Sequence, residues 1–159
     1  DAELAQFFAR RKVTLEIPGY DNPVDYLVAE GYLAKANYRS LFYESGLSLT
    51  ERDLKRIKDD LELPQYLLDR LAEDEQRNLR ILLEIEDLAQ RHQRIIVFGL
   101  SVQHSKLLAT VLRARGLAAD AVTGDTAPRE RERLISSFKD DSSEHKILCN
   151  YGVLTSGFD

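Results

Sequence analysis

The chain has 159 residues and a mass of 18.2 kDa, with 43% hydrophobic and 31% charged residues. This size and composition permit a buried core without disulfides or metals, and they exclude a disulfide-stapled miniprotein, a collagen-like repeat and a wholly disordered chain. The net charge is −5, but residues 1–90 hold 12 Lys/Arg against 19 Asp/Glu, whereas residues 91–159 hold 10 against 8. The second half is therefore the better place for an anionic ligand.

The apolar runs and the terminal residues indicate in which cellular compartment the protein is expected. The longest uncharged apolar stretch, 95–100, is far too short to cross a bilayer, and the first residues are acidic where a signal peptide is basic. We therefore expect an intracellular, cytoplasmic protein with no membrane partner. The single Cys149 lies in an apolar run and is expected to be a buried structural thiol. The absence of methionine and the end at 157–159 inside apparent structure suggest a piece of a longer chain, and we expect this piece to be monomeric.

Residues 1–49 are interpreted as a connector with short helices and an edge strand. The pattern predicts an amphipathic helix over 2–9, a strand over 13–17 and a helix from Pro23 to about Ala29 that Gly31 ends. An aromatic-rich strand is predicted over 38–44.

Residues 50–91 are predicted to form a helical segment. Thr50 and Asp53 have the spacing of a reciprocal capping box, and Pro64 begins a further helical stretch. From Arg77 to Arg91 apolar residues recur every three or four positions, in a stripe that suits packing on a sheet. The run 74–77 resembles an acidic metal box but is interpreted as a solvated helix face.

Residues 92–159 alternate short apolar runs with amphipathic helices. Strands are predicted near 95–98, 118–122 and 146–150, separated by helices that end near Gly116 and Lys139. Strands joined through helices by short connections specify an open parallel α/β sheet with right-handed crossovers. The predicted core side chains of this sheet are Ile96, Phe98, Val122 and Leu148.

Loops at the carboxyl ends of these strands are the candidate ligand site. The loops 99–104, 123–126 and 151–157 offer hydroxyl, amide and glycine residues with almost no charge, which suits backbone binding of phosphates better than acid–base catalysis. Elsewhere the chain has no P-loop motif, no His/Cys spacing for zinc and no nucleophile elbow, so we assign no metal ligand and no catalytic residue. The alternating Arg and Glu residues of 129–133 are interpreted as a salt-bridged helix exterior.

Three blocks of this half resemble the second RecA-like domain of superfamily 2 helicases and translocases. Residues 94–116 resemble the family's motif IV, 121–131 with Phe138 its motif IVa, and 147–159 its motif V. Upstream, 22–33 resembles the connector in restriction-type and DNA-repair-type members, which favours DNA over RNA. The resemblance covers about 65 residues and implies a RecA-like domain over 92–159 that is truncated at motif V.

The resemblance also implies roles for particular residues. The residues implied to lie near nucleic acid are Ser101, Gln103, His104, Thr123, Gly124, Tyr151 and Thr155. Gly157 and Asp159 would lie near the ATP ribose in a cleft shared with a first RecA-like domain. That missing domain would supply motifs I to III and hold ATP and Mg²⁺, and motif VI is also absent, so the isolated chain is expected to be inactive. Many members have Thr-Asp where this chain has Tyr151-Gly152, a departure from the family at a phosphate contact.

A function of another class remains open at this point. The chain could be a non-catalytic α/β module in which the helices of 50–91 dock a protein and the strand-end loops bind a small phosphorylated ligand.

Overall fold

The computed structural model describes residues 17–44, 48–60, 63–140 and 144–154. The chain divides into two compact units, Asp1–Phe42 and Tyr43–Asp159. The domain boundaries predicted near 49 and 91 stay predictions. The helix predicted over 2–9, and all but the last residue of the strand predicted over 13–17, lie outside the described residues.

The first unit contains the helix α1, Pro23–Ala29. The Asn22 side chain caps its start by accepting a hydrogen bond from the Val24 N–H at 2.9 Å, and Pro23 occupies a first-turn position where no N–H is needed. Gly31 follows the helix with φ +77°, as its predicted role in ending the helix requires. These signals lie within a few residues of one another, and they are confirmed.

The strand predicted over 38–44 is wrong, because these residues have no regular secondary structure. Tyr38 is 96% exposed and Phe42 is 87% exposed. Aromatic residues favour strands by packing on a pleated surface, and the described residues provide no neighbouring strand here. Composition alone therefore misled the prediction.

Three helices precede the sheet, namely α2 (Glu51–Asp60), α3 (Gln65–Glu73) and α4 (Glu75–Ala89). The capping box at α2 is confirmed, since Asp53 Oδ2 accepts from the Thr50 N–H at 2.9 Å and Thr50 Oγ1 accepts from the Asp53 N–H at 3.3 Å. Asp74 does not lie on a solvated helix face as predicted. It is extended (ψ 102°) and separates α3 from α4, because its carboxylate caps α4 through the Arg77 N–H at 2.9 Å. No helix in the described part of the chain is long and apolar enough to cross a membrane.

The sheet has three parallel strands, β1 (Arg94–Phe98), β2 (Ala119–Thr123) and β3 (Lys146–Tyr151), in the spatial order β1-β3-β2. Helix α5 (Val102–Ala114) links β1 to β2, and α6 (Pro128–Lys139) links β2 to β3. Gly116 ends the α5 connection with φ +88°, a conformation that side chains with a Cβ rarely adopt. The predicted RecA-like α/β class, with all three strands ending at one edge, is confirmed.

The core lies on both faces of the sheet because side chains of β3 alternate between them. Ile147 and Cys149 face α4 and α5, whereas Leu148 faces α6. The two crossovers run in opposite directions along the sheet, so equal handedness places their helices on opposite faces. The buried residues of the first face are Leu82, Ile85, Ala89, Leu108, Ala109, Leu112, Ala119, Ile147 and Cys149, and those of the second are Val122, Leu134, Phe138, Leu148 and Leu154.

Two predictions about buried side chains have opposite outcomes. Cys149 is fully buried, and burial raises the pKa of its thiol to about 12, so the structural role is confirmed. Phe98 is 60% exposed, so its placement in the core is wrong. It is the last residue of the edge strand β1 and lies beyond the half-buried Ile96, where α6 no longer covers the sheet.

Candidate nucleic-acid interface

The carboxyl ends of the three strands bring the predicted loops to one edge of the sheet. Phe98 pairs with Asn150, and Thr123 pairs with Tyr151, so the strands end almost level. Neighbouring strands lie about 4.8 Å apart, which places the loops after β1 and β2 about 10 Å from each other on either side of the loop after β3. The first turns of α5 and α6 begin at the same edge and direct their positive dipole ends there.

Ser101 and Gln103 form the part of the first loop that a ligand can reach. Ser101 is extended and caps α5, because its Oγ accepts a hydrogen bond from the His104 N–H at 3.0 Å. Gln103 is exposed in the first turn of the same helix. The structure therefore presents the N-terminus of α5 and the exposed side-chain amide of Gln103, and both groups can donate hydrogen bonds to a phosphate oxygen.

His104 differs from its neighbours because its side chain faces the interior. The residue is 3% exposed, and its Nδ1 accepts a hydrogen bond from the Leu100 N–H at 3.1 Å. Nε2 therefore carries the proton and donates to Asn78 Oδ1 at 2.9 Å. Burial, and then the charge of Arg77, lowers the pKa of His104 below its ordinary value, so the ring is neutral. Its side chain holds the loop in place through these two hydrogen bonds.

Asn78 is a residue that sequence reasoning missed. It lies in α4, is 7% exposed, and donates from Nδ2 to the Ala72 carbonyl at 2.6 Å while accepting from His104. Tyr43 donates a further hydrogen bond to Asp74 at the start of this helix. The sequence contains a signal for this role, because Asn78 is in helical phase with the buried Leu82 and Ile85. A polar side chain on the buried face of a helix requires a hydrogen-bond partner.

Arg131 of α6 holds the second loop, 123–126, through hydrogen bonds to its backbone carbonyls. Its guanidinium Nη2 donates to the carbonyls of Thr123 (3.3 Å), Gly124 (3.4 Å) and Thr126 (3.3 Å). Arg131 is therefore not part of a salt-bridged exterior, although Arg133 is, through its pair with Glu130 at 2.6 Å. The sequence signal was its spacing of three and seven from the buried Leu134 and Phe138.

Thr123 and Gly124 contribute differently to this loop. Thr123 is fully buried, and its N–H already donates to Thr126 Oγ1 at 3.0 Å, so it fixes the turn. Gly124 is exposed, and a Cβ placed on it would meet no atom within 4 Å. A sugar–phosphate backbone could therefore approach Gly124 closely.

The third loop is held by Asn150, another residue that sequence reasoning missed. Asn150 is fully buried, with Nδ2 donating to the Val97 carbonyl and Oδ1 accepting from the Leu154 N–H, both at 3.3 Å. Its backbone carbonyl accepts from the Gly99 N–H at 2.8 Å, which joins the first and third loops. Tyr151 is 37% exposed at the end of β3. Thr155, Gly157 and Asp159 lie outside the described residues.

Charges near this edge are few and of both signs. Lys106 of α5 lies 3.4 Å from Asp125 of the second loop, with both side chains more than half exposed. Such a pair is weak in water, so a phosphate can compete for the lysine. Within the described part of the chain, no group of three or more His, Cys, Asp or Glu could hold a metal ion. The described residues of this edge therefore offer binding groups for an anionic backbone.

Comparison with known proteins identifies relatives of this chain. Residues 76–159 match the family described as the helicase conserved C-terminal domain. A Saccharomyces cerevisiae protein whose name describes it as a candidate ATP-dependent helicase, IRC3, is 29% identical over 135 residues, which are 84% of this chain and 18% of that protein. A Schizosaccharomyces pombe protein named as a candidate mitochondrial ATP-dependent helicase is 32% identical over 97 residues, 61% of this chain and 16% of that protein. The chain thus spans less than a fifth of the length of these relatives.

Proposed function

Because the chain belongs to the helicase C-terminal domain family, we propose that it is the second RecA-like domain of an ATP-dependent DNA helicase or translocase. In this role the strand-end edge binds the nucleic-acid backbone and one side of it borders the cleft that holds ATP. Closing of the two RecA-like domains on ATP, and their reopening after hydrolysis, would advance the strand gripped by each in turn.

The observation that carries the proposal is the convergence of the three loops at one edge of the sheet. Ser101, Gln103, Gly124 and Tyr151 are the accessible members of the predicted set, and the buried His104 and Thr123 support them. Backbone groups and hydroxyls contact phosphate and sugar without reading bases. The interface therefore suits movement along a strand without sequence preference.

ATP and Mg²⁺ enter this proposal through residues that the chain shares with another domain. We assign Gly157 and Asp159 to the ribose side of the cleft on the resemblance of 147–159 to motif V. The loop that holds the phosphates and the carboxylates that hold Mg²⁺ would come from a first RecA-like domain, since this chain has no P-loop motif. The isolated chain would then hydrolyse no ATP.

DNA is proposed as the substrate because residues 22–33 resemble the connector of restriction-type and repair-type members. The partners implied are DNA and the first RecA-like domain of the same protein. We place the protein inside the cell, in a compartment that contains DNA.

The binding experiment is an NMR titration of the 159-residue chain with a mixed-sequence single-stranded DNA. We expect Ser101, Gln103, Gly124 and Tyr151 to shift together as one patch. Binding should be weaker than about 10⁻⁴ to 10⁻⁶ M at physiological salt, and weaker still as salt rises, because the whole chain is acidic and the contacts are electrostatic. Matched RNA and duplex DNA titrations test the preference for DNA.

A pair of matched variants provides the control. Gln103→Ala removes an amide from the proposed interface, whereas Gln90→Ala removes one from the far end of α4. Only the first should reduce affinity. Shifts confined to the helices of 50–91, with the three loops unchanged, would favour the non-catalytic docking module instead.

The ATP assignment is tested in the full-length protein and in the chain alone. Asp159→Ala should lower DNA-stimulated hydrolysis in the full-length protein, and Asp87→Ala, in an exposed pair with Arg91, should not. Robust turnover by the isolated chain that survives Asp159→Ala would contradict the proposed shared cleft.

A further inference from the structure

A groove of about 770 Å³ lies between α3, α4 and α5 and takes no part in the proposed DNA contacts along most of its length. Its floor is apolar, with Leu82 and Leu108 buried beneath Leu79 and Leu107. The last two are 52% and 48% exposed. Large apolar side chains aligned along an open groove are typical of a surface that another helix covers.

The groove has a defined length. At one end it opens beside Ser101 and Gln103, and beyond its other end Arg115 pairs with Glu86, with Nη2 and Oε2 2.8 Å apart. Its lining on α5 runs from the N-cap to Val111, a rise of about 15 Å at 1.5 Å per residue. This length accommodates two to three turns of a partner helix.

The rim of the groove has one sign of charge. Asp69 and Glu73 of α3 and Glu75 of α4 line it, and none of its lining residues is lysine or arginine. Asp69 accepts a hydrogen bond from the neutral Gln65 at 2.9 Å, and none of the three carboxylates forms an ion pair with a described residue. His104 is the titratable group at the groove's floor, and its ring is neutral. The rim therefore attracts a cation and repels a phosphate.

We propose that this groove binds a short amphipathic helix of a protein partner, with leucine-like residues on the face toward Leu79 and Leu107 and lysine or arginine beside Glu73 and Glu75. Apolar anchors at i, i+3, i+4 and i+7 fill the floor, and the basic flank selects the orientation. This surface is separate in chemistry from the strand-end edge, and the proposal does not depend on helicase activity.

The test uses two fluorescent 15-residue helical peptides that share leucine at the four anchor positions. One has lysine on the flanks, and the other has glutamate at the same places. By fluorescence anisotropy with the 159-residue chain, the basic peptide should bind at least about tenfold more tightly than the acidic one, a difference of about 1.4 kcal/mol. Glu73→Lys combined with Glu75→Lys should reverse this preference.

Matched substitutions on one helix distinguish the groove from general stickiness. Leu79→Ser should weaken the basic peptide about fivefold or more, as truncation of an interface anchor does. Leu83→Ser, on the same helix, removes a leucine of 44% exposure that does not line the groove, and it should leave binding unchanged within about twofold. Circular dichroism establishes that both variants are folded.

Four outcomes of the peptide experiments would overturn the proposal. These are equal affinity for the two peptides, no saturation up to about 1 mM, self-association of the chain that Leu79→Ser abolishes, and displacement of the basic peptide's NMR footprint from Leu79 and Leu107 to another surface. Perturbation of Leu79 and Leu107 by a DNA oligonucleotide, beyond the shifts of Ser101 and Gln103 expected at the open end of the groove, would assign the groove to nucleic acid and would also contradict the proposal.

Discussion

Replacing Asn78 with leucine should destabilise the second unit through the hydrogen bonds that it removes. Leucine has nearly the shape of asparagine, so the change deletes polar atoms and leaves little cavity. The Nε2–H of His104, 3% exposed, loses its acceptor at 2.9 Å, and an unsatisfied buried donor costs about 1–3 kcal/mol. The Ala72 carbonyl loses a donor at 2.6 Å, but it lines the open groove and can bind water, so its loss costs about 0.5–1.5 kcal/mol.

The expected loss of unfolding free energy is therefore about 1.5–4.5 kcal/mol out of about 5–15 kcal/mol for a protein domain. With a urea slope of about 2 kcal/mol per molar, in the middle of the usual range, the unfolding midpoint should fall by about 1–2 M. Urea unfolding at pH 7.5, followed by circular dichroism, measures this shift. Gln76→Leu, an exposed amide on the same helix, should change stability by less than about 0.5 kcal/mol.

A double-mutant cycle with His104→Leu tests the mechanism. The double variant places two apolar groups opposite each other, so it should be less destabilised than the sum of the single variants by about 0.5–3 kcal/mol. Additivity within about 0.3–0.5 kcal/mol, or a loss under 0.5 kcal/mol for Asn78→Leu alone, would refute the reasoning.

Three more predictions concern the same part of the molecule. Gly99→Ala places a Cβ 2.1 Å from Ser105 Oγ and should lower the unfolding free energy measured in urea by about 1–3 kcal/mol. Adding Ser105→Ala should restore a part of this loss, since it removes a hydroxyl that is buried without a hydrogen-bond partner. An unchanged urea midpoint for Gly99→Ala would be inconsistent with this contact. Burial, and then Arg77, holds the pKa of His104 below its ordinary 6.5, so protonation favours the unfolded chain. The contribution of neutral His104 to the unfolding free energy should be fully present above pH 6.5 and should fall as the pH drops below 6.5. His104→Gln should remove this pH dependence. An equal pH dependence in both proteins would assign it to other groups. Phe98→Ala should cost less than about 1 kcal/mol, because the ring is 60% exposed, and a cost of about 3–5 kcal/mol would mean that it is buried after all.

The sheet could be predicted from the sequence because its signals are local and periodic. Residues 147–149 form an apolar run of the kind that is covered on both faces, and α6 repeats its buried positions Leu134 and Phe138 four residues apart. The glycine after α5 and the capping box at Thr50 are equally local. All of these features lie within a few residues of the structure that they specify.

The supporting hydrogen bonds of the site could not be predicted in the same way. His104 and Asn78 are 26 residues apart, so no local pattern pairs them. The resemblance to motif IV implies a place near nucleic acid for His104 but does not indicate that its side chain is buried. The alternating charges beside Arg131 favour a salt-bridged exterior, whereas the phase of Arg131 with the buried Leu134 determines its role. The alternation of strands and helices predicted where the loops are, whereas tertiary pairing determines which side chains face outward.

The strand order has a consequence for how the domain is made. β1 and β2 each pair with β3 and not with each other, yet β3 is the last of the three to be synthesised. A nascent chain that has emerged only as far as residue 140 contains β1, α5, β2 and α6 but none of the strand pairs. Both outer strands then expose unpaired edges, the state most open to chaperone capture and aggregation. Emergence of residues 146–151 from the ribosome is therefore the earliest moment at which these three strands can pair.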